Sequence, residues 1–116
     1  MRYALVIYNN DAVRERTSEQ QRQVNAAIAE ILERPAVTGW IQLQDLESTT
    51  TVRHDHGKTL LTDGPFVDSK DFLGGFIVLE AENLDEALAI AGELQEVRGA
   101  GAIEVRPILG EGPERA

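Results

Sequence analysis

The chain contains no cysteine. That absence excludes a disulfide framework, a thiolate metal centre and a cysteine nucleophile. Positive charge is also scarce: 11 Lys and Arg stand against 20 Asp and Glu, a formal net charge of −9. A phosphate-backbone partner needs a basic footprint, so this balance argues against nucleic acid. It argues equally against an anionic membrane surface, while leaving room for a local basic pocket that takes a small anion. The N-terminal apolar run, Tyr3 to Tyr8, is too short for a secretory core or a membrane span. A soluble, cytoplasmic protein is therefore expected. Neither G-x-G-x-x-G nor G-x-x-x-x-G-K-[ST] occurs. Ser18, Ser48 and Ser69 lie in no nucleophile elbow. No repeat, low-complexity segment or linker interrupts the chain, so one domain over residues 1–109 is expected, followed by a flexible tail at 110–116.

What is present reads as an alternation of strands and helices. RYALVIY, residues 2–8, is apolar without a break and predicts a strand buried on both faces. Asn9-Asn10-Asp11 then breaks it. Val24, Ile28, Ile31 and Leu32 form one helical stripe, predicting a helix from Ser18 to about Arg34, before Pro35. Either Ser18 with Gln21 or Thr17 with Gln20 would make its capping box. Residues 39–46 and 49–54 predict two further strands. His56-Gly57 predicts a turn, with Lys58 to Thr62 returning as a hairpin partner. FIVLEA lies in the next strand. Asn83 caps a second helix, with Glu86 three residues on and Ala87, Leu88, Ala91 and Leu94 on its buried side. AIEVRPI closes the pattern, and Pro107 places that strand end at an edge or at the end of pairing.

The order is β-α-β-hairpin-β-α-β: an α+β, ferredoxin-like arrangement with an inserted hairpin. Two helices cover only one face of such a sheet. Ala4, Val6 and Tyr8 nevertheless point one way along the first strand, and Tyr3, Leu5 and Ile7 the other. An apolar sheet face left bare predicts a homodimer packed sheet on sheet.

LTDGPFVDSKDFLGGF, residues 61–76, followed by NLDEA and then EVRP, resembles the DGPF-motif branch of the YCII-related family, over nearly the whole chain. The resemblance implies a dimeric α/β barrel of ferredoxin-like halves with a pocket between sheet and helices. It also implies a His–Asp pair as an active site. Asp63 matches the Asp. No histidine matches: His54 and His56 lie in the hairpin, and the segment ELQEVRGAGA carries Arg98 where relatives often have Pro and His. The family carries no settled reaction.

Asp63, at a strand end before Gly-Pro, is the candidate catalytic residue, as general base or as binder of a cationic group. It could equally cap its own turn, with Gly64 and Pro65 shaping the backbone. Phe66 reads as core or as pocket wall, and Lys70 as a solvated side chain or an anion contact. Gly74-Gly75 permits a bulge or a pocket floor where a ligand meets main chain. Tyr8 and Arg106 are further ligand-binding candidates, by hydroxyl and by guanidinium. His54-Asp55-His56 has metal-ligand residue types but too few convergent ligands, so a solvated hairpin tip is expected and no metal. No cofactor is implied. The two functional readings are a small-molecule-binding or enzyme-like dimer with its pocket near DGPF, and a non-catalytic dimeric interaction or metabolite-sensing module.

Overall fold

A computed structural model describes residues 1–113. Its elements are β1 (Arg2–Asn9), α1 (Asp11–Arg14), α2 (Ser18–Leu32), β2 (Val37–Gln42), β3 (Thr50–Asp55), β4 (Lys58–Asp63), β5 (Phe72–Glu80), α3 (Leu84–Arg98) and β6 (Ala102–Pro107). Four strands form an antiparallel sheet in the order β2-β5-β1-β6, while β3 and β4 pair only with each other. This is the ferredoxin-like arrangement with a hairpin inserted between β2 and β5. Pro107 sits on the edge strand β6, where its missing N–H removes no second ladder.

The alternation of β1 decides the core. Tyr3 and Leu5 pair with Leu79 and Ile77 and pack against Ile31 of α2 and Ala87, Ala91 and Leu94 of α3. Leu5, Leu79 and Leu94 are fully enclosed; burying each stabilises the fold by about 1.5–3 kcal/mol. Ala4, Val6 and Tyr8 point to the opposite face, beside Val78 and Phe76 of β5 and Arg106 and Glu104 of β6. Neither α2 nor α3 packs on that face, because both contribute to the one core cluster.

Both long helices start where side chains satisfy free amides. Thr17 accepts from Gln20 N while Gln20 returns the bond to Thr17 N, so of the two capping boxes the sequence allows, this one forms. Asn83 accepts from Glu86 N, and Gly99, with φ 67°, ends α3 in the left-handed conformation. Leu88 departs from expectation: it is exposed, and the buried stripe of α3 runs Ala87, Ala91, Leu94, Arg98. The turn-forming Asn9-Asn10-Asp11 also does more than break a strand. Asn10 accepts from Val13 N and caps the single turn α1. β2 is shorter than the alternation of residues 39–46 predicts, since Asp45 caps a 3-10 turn at Leu46–Ser48. Arg2 donates to Glu111 through both Nε and Nη2, tying the start of the expected tail to β1; residues 114–116 lie outside the described residues.

The β3–β4 ribbon stands apart. Its tip takes φ 47° at His56 and φ 76° at Gly57, the two positive values of a tight hairpin turn. His56 therefore leaves the strand that carries His54. Val52, Leu60 and Leu61 remain exposed along the ribbon.

Candidate functional site

A partly enclosed hollow lies between α2 and the β2–β5 side of the sheet. Its volume is about 490 Å³, within the range of small-molecule sites. Ile28 and Leu32 of α2, Trp40 of β2, Ile77 of β5 and Leu94 of α3 form apolar walls. Asn9, Arg16, Gln21, Asn25, Gln42 and Arg98 supply the polar groups, and among the described residues no Asp or Glu lines it. A wider hollow of about 670 Å³ shares Asn9, Arg16, Gln21, Asn25 and Gln42 with it and forms a polar rim.

Local sequence builds this cleft. β5 holds an extra residue at Gly74, since Ile7 pairs with Gly75 but Tyr8 pairs with Leu73. A Cβ at Gly74 would overlap the Asn9 side chain, and one at Gly75 would overlap the Ile41 carbonyl. Both glycines thus let neighbouring chain approach where the cleft begins, and both line it. The α1 turn and the Thr17 cap carry Arg16 to the junction of β1, α2 and α3.

Two guanidiniums meet there. Arg98 is buried, with 6% of its surface exposed. Its Nη2 donates to the Tyr8 carbonyl at 2.9 Å and to Asn9 Oδ1 at 2.8 Å, and its Nη1 to Gln95 Oε1 at 2.7 Å. Arg16 donates through Nη2 to the Arg98 carbonyl and, at 3.5 Å, through Nη1 to Gln21 Oε1. Arg2, Arg14, Arg22 and Arg34 all pair with carboxylates. Arg16 and Arg98 have no carboxylate partner among the described residues. Burial lowers the pKa of Arg98, and the nearby Arg16 lowers it further; burial likewise lowers that of Arg16. Guanidinium groups remain protonated through such shifts, so the site keeps its positive charge.

The residues singled out from the sequence fall in three separate places. Gly74 and Gly75 lie at the cleft. Asp63, Gly64, Pro65 and Phe66 lie at the base of the ribbon. There Gly64, at φ 98°, donates from N to the Thr49 carbonyl at 2.8 Å, and its own carbonyl accepts from Thr51 Oγ1 at 2.7 Å. The exposed Asp63 pairs with Thr50 across the ribbon and lines neither hollow. Phe66 is 71% exposed, so it is not a core residue in this structure; the Arg53 guanidinium stands 5.9 Å over its ring. Lys70 is exposed beside Asp11, Arg14 and Asp68 in a shallow depression. Tyr8 and Arg106 occupy the bare sheet face, where Tyr8 Oη donates to Glu104 at 3.0 Å. That hydrogen bond to Glu104 is the largest cause raising the Tyr8 pKa above its ordinary value.

Arg16, Gln21, Asn25 and Trp40 were not apparent as a group in the sequence. The available signal was the density of Asn, Arg and Gln between residues 9 and 25, just past the end of β1.

Comparison with known proteins places these features in context. An uncharacterized protein of Rhizobium meliloti (strain 1021) is 32% identical over 114 residues, covering 93% of this chain and 92% of that protein. A solved structure of 5-chloro-2-hydroxyhydroquinone dehydrochlorinase from Burkholderia phenoliruptrix AC1100, in complex with 2,5-dihydroxybenzoquinone, matches over 93% of both chains at 20% identity and a TM-score of 0.48. The YCII-related domain profile matches residues 1–111, and on that near-complete match the chain belongs to the YCII-related family.

Proposed function

We propose that this chain is a small-molecule-binding protein that works as a homodimer, with its ligand in the cleft between α2 and the β2–β5 side of the sheet. The observation that carries the reading is the convergence of Arg16, Gln21 and Asn25 on a hollow walled by Ile28, Leu32 and Trp40. An apolar enclosure with a few directed polar groups is what a small ligand requires. The homodimer is supported by the sheet face that carries Ala4, Phe76 and Val78, half-buried apolar residues on which neither α2 nor α3 packs. Acid–base chemistry by Asp63 enters this proposal only through the assembled dimer, by the ribbon of one copy reaching the cleft of the other.

A second reading, a non-catalytic interaction or metabolite-sensing module, is favoured by one observation. Leu61, Phe66 and Val67 are each more than 60% exposed around the DGPF segment, and a two-stranded ribbon is marginal by itself in water.

A panel of small metabolites tested by thermal shift separates the two, with Trp40 fluorescence as a second signal. Wild type, Asp63→Ala and Trp40→Phe are each compared with their own ligand-free melting point, since binding stabilises by mass action. A ligand that stabilises wild type and quenches Trp40 supports the cleft. Loss of that response in Asp63→Ala brings the ribbon into the site. No response from any ligand, with a dimer in light scattering, favours the second reading.

A further inference from the structure

We infer that the cleft selects organic carboxylates, with the acid group seated on Arg16 beside the buried Arg98 and the apolar body lying against Trp40 and α2. This rests on the cleft reading above and names its ligand class.

A guanidinium offers five N–H groups in a planar fork. Both Nη atoms of Arg98 are spent on Tyr8, Asn9 and Gln95, so Arg98 holds the fold together and contributes mainly its charge. Arg16 makes one short bond, to the Arg98 carbonyl, and one long one, to Gln21. Its remaining donors have no protein partner among the described residues, and Arg16 lines both hollows. Charge points the same way. In a chain of net charge −9, the cleft is lined by two arginines and, among the described residues, by no acid; Asp45 stands only on the wider rim. Two like charges held close in a partly dry site repel each other, and an anion placed against them removes that repulsion.

The geometry favours a carboxylate over a phosphate. A planar fork matches a planar acid bidentately. No glycine-rich loop supplies the cradle of amides that a phosphate ligand uses. Trp40, Ile28 and Leu32 offer an apolar wall that a bare inorganic anion would leave unfilled.

The test is calorimetric titration of the intact protein with phenylacetate, its neutral isostere phenylacetamide, and inorganic phosphate. The acid is expected to bind at least about tenfold tighter than the amide, the discrimination of one charge-assisted contact. Arg16→Gln is expected to abolish that preference while amide binding persists, and Arg16→Lys to restore part of it. Unchanged far-UV circular dichroism establishes that both variants fold. Equal binding of acid and amide to wild type, or an undiminished preference in Arg16→Gln, overturns the anion assignment and leaves the cleft reading standing. Phosphate binding as tight as the acid overturns the carboxylate assignment. Failure of both acid and amide to bind even at ~10 mM overturns this inference and counts against the cleft itself.

Discussion

Arg98, the last residue of α3, donates from Nη2 to the carbonyl oxygen of Tyr8 near the end of β1, at 2.9 Å. A buried cation thereby fastens a helix terminus to a central strand. Replacing it by Leu removes the donor to the Tyr8 carbonyl and leaves Asn9 Oδ1 and Gln95 Oε1 without the hydrogen bonds Arg98 makes to them. The expected loss is about 2–4 kcal/mol, from several charge-assisted bonds and the acceptors left bare. Urea denaturation checks this, as a lower midpoint with an unchanged slope. A loss below about 1 kcal/mol would show that the pin is dispensable.

Gly75 and Gly39 give a matched pair of substitutions. A Cβ at Gly75 would overlap the Ile41 carbonyl, whereas one at Gly39 would meet nothing within 4 Å. Gly75→Ala is therefore expected to push β2 away and cost about 1–3 kcal/mol, with a shift in Trp40 emission. Gly39→Ala is expected to stay within about 0.5 kcal/mol of wild type. Equal melting points for the two variants would contradict this account of the β2–β5 contact.

The Tyr8 phenol is held above its ordinary pKa of 10.0, first by its bond to Glu104 and then by burial. The neutral phenol is the favoured form. The stabilisation it brings is thus complete below the ordinary value and lost as pH rises through the raised one. In a Tyr3→Phe background Tyr8 is the sole tyrosine, so tyrosinate absorbance follows it directly. Glu104→Gln is expected to move the midpoint down; an unmoved midpoint would break the assignment.

The proposed homodimer has a direct test on the sheet face that neither long helix covers. Val78 lies there between Ala4 and Gly39. In a two-fold dimer one substitution alters both sides of the interface, so Val78→Glu is expected to yield monomers in light scattering at micromolar concentration. If Val78→Glu stays dimeric and Leu61→Glu does not, the ribbon is the contact instead.

Most of the fold was legible in the residues. The unbroken apolar run of β1, the Asn83 cap and the His56-Gly57 turn are local signals, and local physics decides them. α1 was hidden because Asn10 serves a turn and a helix cap equally well. The exposure of Leu88 and the burial of Arg98 were hidden because the rotation of α3 against the sheet is set by tertiary packing, not by its own pattern. The site was less legible for the same reason. Gly74 and Gly75 stood out as a pair, but Arg16, Gln21, Asn25 and Trp40 acquire a common purpose only when α2 is laid across β5.

The hydrogen bonding of the β3–β4 ribbon closes within itself, and Gly64 N donating to Thr49 O continues that closure past its base. Its amides can therefore open to solvent without loosening the four-stranded sheet, as a separate cooperative unit with its own low protection against deuterium exchange. Whatever covers the ribbon would be reported there first, as a slowing of exchange confined to residues 50–63 while the core rates stay fixed.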